Sequence, residues 1–277
     1  MNTNAHSLQA HDPVRADALA RGFDPLEAGL LARLVAEGAV PELPLDGEAA
    51  AGGRRAAFAP MADRTPGLYA IVDSADWVRR VLAHGVRLVQ LRIKDAPADD
   101  LRRQVRDSVA AAREAGAQLF INDHWEAALD AGAYGVHLGQ EDLATADLDR
   151  LQAAGLRLGL STHSVTEVCR AWRVRPSYIA CGPIHATAAK AMPWIPQGED
   201  NLAFWAARLP LPVVAIGGMD VPRSREAARR GATWVAVISA VTAAADPAAA
   251  IEALQAVIRV GVARRETCPP VLPRPTL

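Results

Sequence analysis

Between about residues 66 and 261 the chain alternates short apolar runs with longer segments whose apolar residues recur at helical spacing. The runs are 67–73, 88–94, 118–123, 134–139, 157–162, 178–183, 212–218 and 234–239, each followed by polar or glycine residues. Such runs read as buried strands. The intervening segments are rich in Ala, Arg and Leu. In 98–115, Leu101, Val105, Val109 and Ala112 fall on one stripe, as in a helix lying on a core. Strands alternating with helices predict βαβ units and a parallel sheet. Eight units in roughly 195 residues predict an α/β fold of the closed (β/α)8 TIM-barrel type, on the small side. An open doubly wound sheet is the competing architecture. It carries a glycine-rich phosphate loop after its first strand, and here the first run leads into Asp73-Ser74-Ala75-Asp76.

The ends of the chain follow another pattern. Asp24-Pro25 opens a predicted helix through about Glu37, with Leu26, Leu30, Leu31 and Leu34 on one stripe. Residues 41–60 are rich in Pro, Gly and Ala and predict a linker. From about 263 onward the chain predicts a loose tail. The expected organisation is a partly helical N-terminal extension and linker over 1–63, a barrel catalytic domain over 64–262 and a flexible tail over 263–277.

Composition narrows the function classes. The 277 residues are 51% hydrophobic, ample for a core, and the net charge is −1. That balance gives no electrostatic case for nucleic acid or an anionic membrane as a partner. No apolar run approaches the ~20 residues of a membrane span, and the first residues lack the pattern of a secretory signal. Cys169, Cys181 and Cys268 form no CxxC pair and no metal spacing, which suits a reducing compartment. The expectation is a cytoplasmic enzyme of small-molecule substrates, with association into a homo-oligomer left open.

The chemistry is expected at the C-terminal ends of the strands, where barrel active sites lie. Of the 30 basic residues only Lys94 and Lys190 are lysine, and each follows an apolar run. A compact ammonium suits phosphate. Gln90, Arg92 and Lys94 alternate with period two and share one face of their predicted strand. If that face points inward, the two cations need an anion, either a ligand or an internal acid. Asp123 and Asp142 follow neighbouring strands. Together they suit a divalent cation such as Mg²⁺, which takes one or two carboxylates plus phosphate and water; alternatively Asp142 caps a helix. Gly217 and Gly218 fit backbone binding of phosphate or a tight turn. Ser161-Thr162-His163 could cap a helix or touch a ligand, and Ser161 stands evenly between the two roles. His137, within a strand, reads as a hydrogen-bonded interior histidine rather than a base, and Cys181 as packing. No nucleophile–base pair emerges.

At these motifs the chain resembles the thiamine phosphate synthase family over about 67–250. The resemblance rests on residues 90–95, 121–123, 135–143, 159–163, 181–190, 214–218 and the final Val237-Ile238-Ser239. It implies transfer of an aminopyrimidine-methyl group from its diphosphate to the ring nitrogen of a thiazole phosphate, with release of diphosphate. By that resemblance Gln90, Arg92, Lys94, Asn122 and Lys190 would hold the diphosphate, and Asp123 and Asp142 would bind Mg²⁺. Ser161 would lie beside the diphosphate and the pyrimidine. Lys190, Arg92 and Ser161 would form the catalytic set. Thr187, Gly218, Ile238 and Ser239 would hold the thiazole phosphate. One position departs: Ala189 stands where the family usually has threonine, which removes a hydroxyl donor to that phosphate. A benzylic-type pyrimidine cation permits ionisation before attack, so the reaction requires no strong base. Two alternatives remain at this point: a thiazole tautomerase on the same barrel, and a non-catalytic thiamine phosphate-binding protein. Residues 18–29 faintly resemble the closing helix of ribokinase-like pyrimidine kinases, against the simpler expectation of a flexible appendage.

Overall fold

A computed structural model describes residues 12–45, 55–187, 194–265 and 271–276. The eight predicted strands are present: β1 (Gly67–Val72), β2 (Leu88–Leu91), β3 (Gln118–Asn122), β4 (Gly135–Leu138), β5 (Arg157–Thr162), β6 (Tyr178–Cys181), β7 (Val213–Ala215) and β8 (Trp234–Val237). They close in chain order into a barrel, each parallel to the next, with β8 returning to β1. The crossovers carry α3 (Ala75–Ala83), α4 (Ala98–Glu114), α5 (Trp125–Asp130), α6 (Leu148–Ala153), α7 (Val165–Val174), α8 (Gly198–Arg208) and α9 (Val221–Arg229). Helices α10 (Ser239–Thr242) and α11 (Pro247–Ala263) follow β8. In α4 the predicted stripe holds: Val105, Val109 and Ala112 are buried and Leu101 packs against them.

The strands end before several of the apolar runs do. The second run continues to Lys94, but β2 stops at Leu91. Arg92 N–H donates to the Val72 carbonyl at 2.7 Å, and Val72 is the last residue of β1. β1 ends at that residue, and the chain turns through Asp95 at φ 54°.

Two cores result. The outer one lies between strands and helices. The inner one fills the barrel with Tyr69, Phe120, Tyr178 and Trp234, beneath Ile71, Ala180, Val214 and Ala236. The rings meet edge to face, Phe120 and Tyr178 with centroids 5.1 Å apart at 82°. They fit because two strand positions lack a side chain. A Cβ on Gly159 would lie 2.1 Å from Tyr178 Cζ, and one on Gly135 would lie 2.5 Å from Phe120 Cε1.

The N-terminal segment is packed on the barrel where an appendage and linker were expected. Helix α1 (Pro13–Ala20) was not anticipated. Helix α2 (Pro25–Glu37) has the predicted start, its N-cap Asp24 accepting from Leu26 and Glu27 N–H. Leu30, Leu31 and Leu34 are buried, but Leu26 is 55% exposed and leaves the predicted stripe. Buried Glu27 accepts from Thr166 N–H at 3.1 Å and its hydroxyl at 3.3 Å, at the start of α7. The stretch from Arg55 crosses the lower barrel end: Phe58 N–H donates to the Arg175 carbonyl, Ser177 Oγ donates to the Ala59 carbonyl, and Met61 joins the inner core. Proline and glycine predicted irregular backbone there; apolar side chains dock it. The expected loose tail is also held at 271–276. Arg274 and Asn201 exchange backbone–side chain bonds of 2.8 and 2.9 Å, and Thr276 is buried.

Two glycine substitutions separate packing from backbone entropy. Gly159→Ala should lower stability by about 1–3 kcal/mol, because the Tyr178 ring has no room to retreat. Gly29→Ala, inside α2 with nothing within 4 Å of the added Cβ, should raise it by about 0.5–1 kcal/mol. Denaturant midpoints of the two variants measure both.

Candidate active site

A cavity of about 420 Å³ opens at the C-terminal mouth of the barrel. Its wall is built from strand ends, as the barrel requires. Gln90, Arg92, Asn122, Asp123, Asp142, Ser161, Thr187, Gly218, Ile238 and Ser239 all line it. Lys94 does not; it is exposed on the loop after β2. The predicted inward triad therefore reduces to Gln90 and Arg92, because the strand ends before period-two alternation reaches residue 94. Lys190 and Ala189 lie outside the described residues.

Buried Gln90 donates from Nε2 to Tyr69 Oη at 3.1 Å. Arg92, just beyond the strand, is half-buried, and its charge acts on the Asp123 carboxyl. Asn122 is buried at the end of β3. Asp123 follows it in left-handed conformation at φ 60°, its N–H donating to the His137 carbonyl at 3.0 Å. That turn sets Asp123 on the rim. Its carboxyl is held above the ordinary range by desolvation at the cavity wall and by the charge of Asp142, against Arg92, His124 and a hydrogen bond from Asn122.

Asp142 opens a 3-10 turn, Asp142–Ala144, and its Oδ2 accepts from Gly139 N–H at 2.8 Å. It thus fastens its own loop while facing the cavity. Among the described residues no third acid, histidine or cysteine joins the two aspartates in a metal-holding group. The donor set still fits Mg²⁺. Two hard oxygen ligands whose like charges repel each other suit a small divalent ion that completes its shell with substrate and water.

On the neighbouring strand β5, Ser161 Oγ lies 2.9 Å from His137 Nε2 of β4. His137 Nδ1 lies 2.7 Å from Tyr178 Oη, and the imidazole stacks on the Tyr178 ring. Burial, helped by the charge of Arg92, pushes its pKa down to about 3, so the imidazole is neutral. This is the hydrogen-bonded interior histidine expected from its strand position. Burial pushes the Cys181 thiol up to about 12, and its Sγ donates to Gln197 Oε1 at 3.3 Å, a packing role.

Gly217 and Gly218, at φ 97° and 64°, are required by the neighbouring loop. Their Cβ atoms would lie 2.6 Å from Pro183 Cβ and 2.5 Å from the Ala186 carbonyl oxygen. The tight approach and the cavity wall are thus one feature. Ser239 begins α10, whose first N–H groups have no helical acceptor.

Sequence reasoning gave His163 a capping or ligand-touching role but missed Glu167 and Trp194, which line the cavity with it. His163 N–H and Nδ1 both lie 2.8 Å from Glu167 Oε2, and Trp194 stacks on the imidazole at 5.3 Å and 6°. Part of the signal was legible. Ser164 and Glu167 stand at capping-box spacing, and Ser164 Oγ accepts from Glu167 N–H. Trp194 follows residues 188–193 in sequence, and nothing local ties it to His163.

Comparison with known proteins assigns the barrel to a family. The family model described as Thiamine monophosphate synthase matches residues 68–241. A thiamine-phosphate synthase of Neisseria meningitidis is 52% identical over 189 residues, covering 68% of this chain and 92% of the relative. One from Salmonella typhimurium is 48% identical over 196 residues, covering 70% and 93%. The solved structure of a thiamine phosphate pyrophosphorylase from Pyrococcus furiosus superposes with a TM-score of 0.65 at 30% identity, over 72% of this chain and 98% of that one. The matched residues span the barrel and the cavity described above, and the chain belongs to the thiamine phosphate synthase family.

Proposed function

We propose that the mouth cavity joins an aminopyrimidine-methyl diphosphate to a thiazole phosphate, giving thiamine phosphate and diphosphate. The observation that carries the reading is one cavity lined by the Arg92 guanidinium and by two acids, Asp123 and Asp142, with the charges of Arg92 and Asp142 both acting on the Asp123 carboxyl. The reaction breaks the bond between the methylene carbon and the diphosphate oxygen, and the electron pair leaves with diphosphate. The thiazole nitrogen lone pair then forms the new C–N bond. No proton need be abstracted, so the reaction asks for no nucleophile–base pair.

Each residue has a task in that scheme. Arg92 and Asn122 bind the diphosphate, with Lys94, on the loop outside the cavity wall, and Lys190 as further cations. Asp123 and Asp142 would hold Mg²⁺, whose chemistry there is neutralisation of charge on the leaving group. Ser161 and Gln90 position the pyrimidine end. Thr187, Gly218, Ile238 and Ser239 hold the thiazole phosphate, the last three partly through backbone N–H groups. Holding two substrates in line contributes roughly 7–11 kcal/mol. Pairing of cations and acids favours this coupling over tautomerisation, which has little use for a diphosphate site. We further propose that the enzyme works in the cytoplasm. Among the described residues no helix is long and apolar enough to cross a membrane.

With both substrates present, the full chain should release diphosphate only when Mg²⁺ is supplied; binding of thiamine phosphate without release would favour a non-catalytic binding protein. Arg92→Ala and Asp123→Asn should each lower turnover by about 100-fold or more. Lys94→Ala should cost less than Arg92→Ala, since its side chain is outside the cavity wall, and equal losses in steady-state assays would refute that ranking. Ala189→Thr should lower the KM for thiazole phosphate about threefold to tenfold by adding one hydroxyl donor.

A further inference from the structure

Beneath the mouth, five polar side chains form one continuous hydrogen-bonded chain. Gln90 Nε2 reaches Tyr69 Oη at 3.1 Å, and Tyr69 Oη lies 2.8 Å from Tyr178 Oη. Tyr178 Oη lies 2.7 Å from His137 Nδ1, and His137 Nε2 lies 2.9 Å from Ser161 Oγ. The first four residues are all buried. Phenylalanine or leucine would fill the same space without desolvating a hydroxyl, so the polar groups call for an account beyond packing.

Placing the hydrogens gives the chain a direction. A buried hydroxyl must both spend its hydrogen and be accepted from. Tyr69 accepts from the Gln90 amide, so its own hydrogen goes to its other partner, Tyr178. Tyr178, having accepted from Tyr69, donates to His137 Nδ1. Both imidazole nitrogens face hydroxyls and neither faces a carboxylate. The ring therefore carries one hydrogen, on Nε2, and donates it to Ser161 Oγ. Ser161 is then left with its hydroxyl hydrogen unused by the chain, on the cavity wall.

We propose that Tyr69, Tyr178 and His137 are positioning residues that lock His137 in its Nε2–H tautomer and so make Ser161 a hydrogen-bond donor toward the substrate. Run in the opposite direction, the same chain would make Ser161 spend its hydrogen on His137 and face the substrate as an acceptor only. Gly159 belongs to the device, because a Cβ there would lie 2.3 Å from the Tyr178 hydroxyl oxygen. The inference about Ser161 rests on the proposed reaction, but the tautomer does not.

The first test is the wild-type protein labelled with ¹⁵N-histidine at neutral pH, with His137 assigned by its loss in His137→Gln. The expected spectrum has a pyrrole-like Nε2 and a pyridine-like Nδ1 in a single species. In Tyr178→Phe the Nδ1 donor is gone, and the same ring should show the other tautomer or a mixture. A pyrrole-like Nδ1 in the wild type, on its own or together with a pyrrole-like Nε2, overturns the proposal. The second test is kinetic. The Gln Nε2 of His137→Gln can replace the imidazole donor, so that variant should keep turnover within about tenfold, whereas His137→Leu should lose about 10- to 100-fold in kcat. Ser161→Ala should lose as much, and the double variant His137→Leu/Ser161→Ala no more than either single one. Additive losses, or equal losses in the Gln and Leu variants, overturn the role assigned to Ser161. Absence of diphosphate release in the wild type would sink the proposed reaction and leave the tautomer to be judged by its spectrum.

Discussion

The site at the barrel mouth stands on the filling of the barrel below it. Tyr178 occupies the interior only because Gly159, on the adjacent strand, presents no Cβ, and its ring then packs against Phe120 and stacks on His137. The same residue that completes the apolar core brings a hydroxyl to the underside of the active site. A small barrel has little interior volume, so one ring serves packing below and hydrogen bonding above. Moving it would disturb stability and the orientation of Ser161 together.

Above that layer the balance of charge governs. Arg92 and the Asp123–Asp142 pair line one cavity, and the carboxyl of Asp123 stays raised by desolvation and by Asp142 against the charge of Arg92. Groups left in that state at a concave surface are stabilised by ligands that supply the missing charge. A diphosphate with a divalent cation supplies both signs at once. The left-handed backbone at Asp123 contributes to this, since it turns the carboxylate out of the strand and onto the rim.

The N-terminal extension reaches the same site from outside. Glu27 of α2 caps the first turn of α7, the turn that carries Glu167 and, through it, fixes His163 beside Trp194. The segment therefore braces a cavity wall as well as covering the lower end of the barrel. Its composition suggested a linker because proline and glycine reveal where regular structure stops, and they say nothing about whether Phe58 or Met61 will find a core.

Strand number, order and parallel pairing were legible in the chain, because period and spacing are local and a right-handed βαβ repeat leaves few ways to close. So were the residues at the strand ends, since the barrel sends every strand's C-terminus to one face. Local pattern could not show that β2 ends at Leu91 and leaves Lys94 outside the cavity, because where a strand stops depends on where its neighbour ends. Nor could it show the chain from Gln90 through Tyr69, Tyr178 and His137 to Ser161, whose members lie on five different strands or that Trp194 covers His163. Those are contacts between residues distant in sequence. The amino-acid order by itself determined which strand ends meet at the mouth; only the closed barrel decided which side chains reach the cavity and touch, because the gaps left by Gly135 and Gly159 are filled by Phe120 and Tyr178 from other strands.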